Sequence, residues 1–181
     1  FEGGAIISPD AKTKRRIDHL KNFGFVDEVT VVAPGINGKM SEFNAALGLV
    51  QLSHIDAALQ KRQAIDARYR KGLAQVQGVR CLADAGETRA NYAYFPILIE
   101  PAYPLARDHL YQMLKERGIY ARRYFHPLIS EFPMYKALPS ASAENLPIAR
   151  QAAAQVLCLP IYPDLELDVV DKVIGLISRP W

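Results

Sequence analysis

Two short stretches carry residue types suited to an anionic ligand. The first is Pro34-Gly35-Ile36-Asn37-Gly38-Lys39-Met40-Ser41. Pro34 and Gly35 read as a turn and Ser41 as the N-cap of a following helix, so Asn37 and Lys39 sit on a loop that feeds a helix N-terminus. Exposed amides, the positive end of a helix dipole and a cationic side chain converge there, an arrangement that suits a phosphate. A helix-capping loop with a solvated lysine accounts for the same residues. The second stretch runs from Gly118 to Ile129, where Arg122 and Arg123 precede Tyr124-Phe125-His126. Guanidinium groups match phosphate geometry well, which makes Arg122, Tyr124 and His126 candidates for contact with a phosphorylated ligand. The competing reading is an extended segment whose aromatics fill a core and whose arginines are solvated.

The remaining reactive side chains read as structural. His19, His54 and His109 fall on predicted helices, and Cys81 and Cys158 lie far apart without metal-ligand spacing. Cys158 sits in the apolar run Val156-Leu157-Cys158-Leu159, so buried free thiols are expected and a metal site is not.

The elements that hold these stretches follow from hydrophobic spacing. Ala5-Ile6-Ile7 reads as a short buried strand. Ser8 as N-cap and Pro9 at the first helical position start a helix that ends at Gly24, with Ile17, Leu20 and Phe23 on one face. Glu28 to Val32 reads as extended. From Ser41 a helical pattern runs to about Val76 with Leu47, Val50, Ile55, Leu59, Ile65, Tyr69 and Leu73 as an apolar stripe, and a bend is expected near Ser53-His54. Such a helix reaches roughly 50 Å, longer than one small domain is wide, and must pass from one core into another. Gly78 marks its exit. Asn91 to Glu100 is the strongest strand signal, with Pro96 pointing to an edge or a bulge. Pro104 opens a helix with Ala106, Leu110, Met113 and Leu114 on one face that stops at Gly118, and Ile119 to Phe125 reads as extended. Asn145 caps a helix with Pro147 in its first turn. Asp164 caps the last helix, whose buried face is Val169, Val170, Val173, Ile174 and Ile177.

Composition narrows the class. The chain has 181 residues, half of them apolar, enough to bury a core. Its net charge of +3 is too weak to argue for nucleic acid. The basic run Lys12-Thr13-Lys14-Arg15-Arg16 lies in an amphipathic pattern and reads as a solvated helix face. No apolar run approaches a membrane span and the start lacks the pattern of a signal peptide, so a cytoplasmic location without a membrane partner is expected.

Glu2-Gly3-Gly4-Ala5-Ile6-Ile7, Gly35-Ile36-Asn37-Gly38-Lys39-Met40-Ser41-Glu42 and Ala45-Ala46-Leu47-Gly48 with Gln51-Leu52 together resemble the DegT/DnrJ/EryC1/StrS family of sugar aminotransferases. The resemblance covers nearly the whole chain, with its specific motifs concentrated before Leu52. It implies the α/β fold of aspartate aminotransferase, the type I fold of pyridoxal-phosphate enzymes. Residues 1–52 would be the end of the large cofactor domain, 53–78 a connecting helix and 79–181 an α+β small domain. The lysine that forms the Schiff base with pyridoxal 5'-phosphate would lie just upstream of Phe1, so no catalytic residue is expected within these 181 residues, and alone they would be inactive.

The resemblance also assigns roles. Asn37 would bind the cofactor, reaching across a homodimer interface toward the phosphate in the neighbouring subunit. The family's Gly-x-Asn-x-Arg-Met motif has Lys39 in place of arginine, which keeps the charge and loses the planar fork. Many relatives carry an aromatic followed by Pro-Leu-His. Here Ile129 takes the place of that histidine and His126 precedes the proline instead. The implied reaction is amination of a nucleotide-linked keto sugar, with glutamate as amino donor in a ping-pong sequence, in the biosynthesis of O-antigen or antibiotic sugars. A sugar dehydratase of the same fold, with histidine in place of the lysine, and a non-catalytic α+β phosphate-binding module are the alternatives.

Overall fold

The computed structural model describes residues 2–83, 86 and 88–179. By contact density the chain divides into residues 1–55 and 56–181.

In the first unit, α1 spans Ala11–Lys21. Its N-cap is Asp10, not Ser8: the Asp10 carboxylate accepts from the amides of Lys12 and Thr13, two of the donors that a helix start leaves unpaired. Ser8 is one step back, its Oγ accepting from the Asp10 amide at 3.3 Å. Gly24 ends the turn after α1 with φ +86°, and a Cβ there would lie 1.7 Å from the Ala33 carbonyl oxygen, so only glycine fits. The expected strand at Ala5–Ile7 does not form. Ile6 and Ile7 are 76% and 94% exposed, because no described segment lies alongside to pair with them. The expected extended run from Glu28 to Val32 shrinks to one bridge, Phe25 with Val31, closed by Asp27 accepting from the amides of Val29 and Thr30. The basic run Lys12 to Arg16 is exposed along α1, as its pattern predicts.

Helix α2 spans Glu42–Leu73, 32 residues or about 48 Å, and its helical assignment is unbroken through Ser53-His54. Ser41 caps it, its Oγ accepting from the Asn44 amide at 3.2 Å. Its stripe is buried only at the C-terminal end, where Ile65, Tyr69 and Leu73 enter the core of the second unit.

That core is built on a three-stranded antiparallel sheet of β1 (Val79–Cys81), β2 (Phe95–Ile99) and β3 (Val156–Leu159), in the order β1-β2-β3. Helices α3 (Arg107–Glu116), α4 (Pro147–Gln155) and α5 (Leu167–Ser178) complete the unit. Tyr69 stacks on Phe95 with ring centroids 4.9 Å apart and donates its hydroxyl to the Pro160 carbonyl at 3.2 Å. Val170, Val173 and Ile177 bury the face of α5, while Val169 and Ile174 are partly covered. Gly78, at φ +76°, makes the exit from α2 possible: a Cβ would meet the Tyr103 amide at 2.1 Å.

Pro96 lies on the central strand rather than an edge. Both hydrogen-bonding groups of Cys158 are taken by Arg122, so the facing pair Pro96 and Cys158 exchanges no bonds, and the donor that Pro96 lacks would point to the β1 side. There β1 ends at Cys81, opposite Ile97, and the next carbonyl, Leu82, accepts from Arg70 instead. The sheet thus has no bond for Pro96 to break.

Three helix starts also differ from expectation. Arg107 takes the buried position at the start of α3 and Ala106 is its exposed N-cap. Leu146 and Glu166 occupy the N-cap positions of α4 and α5 without side-chain bonds. Asn145 instead donates to the Pro139 carbonyl at 3.1 Å, and Asp164 pairs with Lys61 at 3.5 Å. Asn145 thus finds a local backbone partner, and Asp164 one 103 residues away in the sequence.

Candidate functional site

The loop before α2 is held by the end of α1. The Ile36 amide donates to the Leu20 carbonyl at 2.9 Å, Gly38 donates to Lys21 at 2.8 Å, and Phe23 donates to Ile36 at 3.0 Å. Carbonyls that a helix end leaves unpaired are thereby satisfied by the loop, and Asn37 is bridged to Asn22. The Asn37 side chain is exposed on this clamped backbone. Lys39 is not a free cation: its Nζ donates to Asn22 Oδ1 at 3.0 Å and lies 4.5 Å from the centroid of the Phe23 ring. Lys39 braces the loop and leaves Asn37 as its outward-facing donor.

The second stretch forms a cavity of about 410 Å³ within the second unit, lined by Arg122, Tyr124 and His126 together with Tyr111, Arg123 and Phe132, among others. The three candidates of the second stretch therefore line one cavity. Asn37 belongs to the other unit. The aromatics do not fill a core: Phe125 is 70% exposed, and Tyr124 stacks on it at 4.8 Å while meeting Tyr94 edge-on at 5.6 Å. The segment is extended only at Arg122, whose amide and carbonyl pair with Cys158 at 2.9 and 2.7 Å.

The two arginines differ. Arg123 donates to Asp108 Oδ1 at 2.9 Å and lies over the Tyr111 ring at 4.5 Å. Burial pushes the Asp108 carboxyl up, but the hydrogen bond from Arg123 and the charges of Arg107 and Arg123 outweigh it and leave the group below the usual carboxylate range. The Arg122 side chain is exposed and makes no ion pair among the described residues. The cavity thus offers a guanidinium on a fixed backbone, flanked by aromatic faces and an imidazole. That set can hold a phosphate and stack against a planar or sugar ring.

Tyr111 and Phe132 went unnoticed in the sequence, as did Asp108. Cys158 is buried in β3 and Cys81 half-buried in β1. Both thiols are free, and burial pushes both up, which makes them poor nucleophiles. Among the described residues no cluster of three or more metal-ligating side chains occurs, and no helix is long and apolar enough to cross a membrane.

A long helix leads into an α+β layer, with an asparagine loop before the helix and a cationic aromatic cavity beside β3. The chain matches the DegT/DnrJ/EryC1/StrS aminotransferase family over residues 1–178 and belongs to it. It is 57% identical to a dTDP-4-amino-4,6-dideoxy-D-glucose transaminase of Escherichia coli, over 98% of this chain and 48% of that protein. It is 43% identical to an enzyme of the same name from Shigella dysenteriae, over 99% and 48% respectively. The fold is similar to that of S. venezuelae DesV, with a TM-score of 0.85 at 29% identity over 97% of this chain and 47% of DesV. It is also similar to DesI, solved in the presence of its TDP-sugar product, with a TM-score of 0.84 at 32% identity over 95% and 43%. The chain spans about half the length of the curated relatives it matches.

Proposed function

We propose that this chain is the substrate-binding half of a pyridoxal-phosphate aminotransferase that converts a nucleotide-linked keto sugar to an amino sugar. The observation that carries the reading is the cavity that joins Arg122, Tyr124 and His126. Arg122 would take the diphosphate, Tyr124 would stack on a ring, and His126 would hydrogen-bond a sugar hydroxyl or a phosphate oxygen. The identity to transaminases named for dTDP-4-amino-4,6-dideoxy-D-glucose favours a dTDP sugar with its ketone at C4.

The residues present fit the phosphate edge of the cofactor. Asn37 offers an uncharged amide donor, exposed on a clamped loop, and Lys39 is already engaged in bracing that loop. When bound, pyridoxal phosphate would supply the electron sink that lets an amino group pass between carbon skeletons. In our reading Asn37 serves the site of a second subunit, which makes the enzyme a homodimer, and glutamate is the amino donor. Residues 1–52, 53–78 and 79–181 are then the end of the large domain, the connecting helix and the small domain. On this reading activity needs residues beyond these 181, in keeping with relatives about twice as long. Two free thiols fit a cytoplasmic location.

The test is to incubate the full-length gene product with pyridoxal phosphate, dTDP-4-keto-6-deoxyglucose and amino-labelled glutamate. Transfer of labelled nitrogen to the nucleotide sugar is expected. A product that has lost a hydroxyl without gaining nitrogen would identify a dehydratase instead, and no turnover with any keto sugar would overturn the reading.

A further inference from the structure

Behind the cavity wall stands a buried cation that the proposed chemistry does not use. Arg107, 6% exposed, is the first residue of α3. Its Nη1 donates to the carbonyls of Ala153 at 3.1 Å and Val156 at 3.0 Å, at the junction where α4 passes into β3. Both carbonyls sit at the negative end of the α4 dipole, so the guanidinium is anchored by geometry and charge together. Its Nε faces Asp108 Oδ1 at 2.8 Å without satisfying hydrogen-bond geometry. The same oxygen accepts from Arg123 Nη1 at 2.9 Å. One carboxylate oxygen therefore stands between two guanidinium groups that would otherwise repel each other.

Arg123 in turn covers the Tyr111 ring, and both line the cavity. Arg122, its neighbour in sequence, is fixed to β3 through its backbone. We infer that Arg107, Asp108 and Arg123 form a positioning relay: it ties Arg123 and Tyr111 into a fixed wall, so that Arg122 presents its charge to the substrate diphosphate without competition. The inference rests on the aminotransferase reading of the cavity. Asp108 is the link whose loss separates the anchored end from the wall, and none of the three is a catalytic residue.

The test compares wild type, Asp108→Asn and Asp108→Glu in the full-length holoenzyme. Asp108→Asn should raise KM for the nucleotide sugar roughly fivefold, the scale of one lost charge-assisted hydrogen bond, with kcat and the KM for glutamate changed less than about twofold. Asp108→Glu should restore most of the loss. The Arg123 guanidinium nitrogen NMR signals, slowed by pairing in the wild type, should collapse to the solvent-averaged position in Asp108→Asn. An unchanged or lower KM for the nucleotide sugar, or an equal rise for both substrates, overturns the relay while wild-type turnover leaves the enzyme reading intact. Wild-type protein that neither aminates a nucleotide sugar nor binds dTDP overturns the cavity reading, and with it the relay's role toward substrate.

Discussion

The two units of this chain have similar kinds of residue and very different interiors. Among the described residues, every buried apolar side chain of the core lies between Ile65 and Ile177. In residues 2–55 only Gly24 is buried, while Ile6, Ile7, Val29, Val31, Val32, Leu49 and Val50 face solvent. The first unit nevertheless has defined local geometry, through the Asp10 cap, the Asp27 turn and the loop clamped on α1. Caps and turns shape a backbone over a few residues. Burial needs a second layer, and among the described residues only those of the second unit have one. Stability and local order are thus separable, and the two candidate site regions sit on opposite sides of that division.

The largest test of the contrast is core truncation. Leu110→Ala in the second unit should cost about 2–5 kcal/mol in urea unfolding. Ile7→Ala, measured in these 181 residues alone, should stay within about 0.5 kcal/mol. Comparable losses at both positions would break the comparison. Next in size is Arg107→Met, which keeps the volume and strands two buried carbonyls, and should cost about 1–3 kcal/mol.

Alkali should also act on the second unit. Burial raises the Tyr69 hydroxyl above its ordinary range. The folded state therefore resists ionisation that the unfolded state undergoes near pH 10. The stabilisation is complete below about pH 10 and is lost as pH rises beyond it. Tyr69→Phe should flatten that alkaline slope in thermal unfolding measured across pH. A smaller effect is expected at Asp108, whose lowered carboxyl pKa contributes above its unfolded value and is lost as pH falls through the folded one. Asp108→Asn should slightly flatten the acid limb of the same profile. For the first unit, Lys39→Ala should leave global unfolding unchanged and speed amide exchange at Ile36 and Gly38, which would sharpen the distinction between local order and packed stability.

Much of this was legible in the sequence. The stripe Ile65, Tyr69, Leu73 and the run Val170, Val173, Ile177 enter the core as their spacing predicts. Gly78 and Gly118 fall where helices stop, the latter donating its amide to Lys115 at 3.0 Å. The family motifs identified the chain, and Arg122, Tyr124 and His126 meet around one cavity as their proximity suggests. Strands fared worse. Ala5–Ile7 has the pattern of a strand and lacks a partner, while Val79–Cys81 and Val156–Leu159 are strands because β2 lies between them. Pro96 reads as an edge signal until the pairing of Cys158 with Arg122 shows which side its missing donor faces.

The sequence by itself determined the family, most of the helices and the chemistry of the candidate site's side chains. These depend on residue identity and on spacings within one or two turns. Tertiary structure decided which apolar runs are buried, which N-cap candidates are used and which arginine is held by Asp108. Arg122 and Arg123 are adjacent and chemically identical, and only the approach of Asp108 and Tyr111 on α3 makes one of them part of the wall and leaves the other facing the cavity. A charge acquires its role from what neutralises it, and that partner lies 15 residues away in the chain.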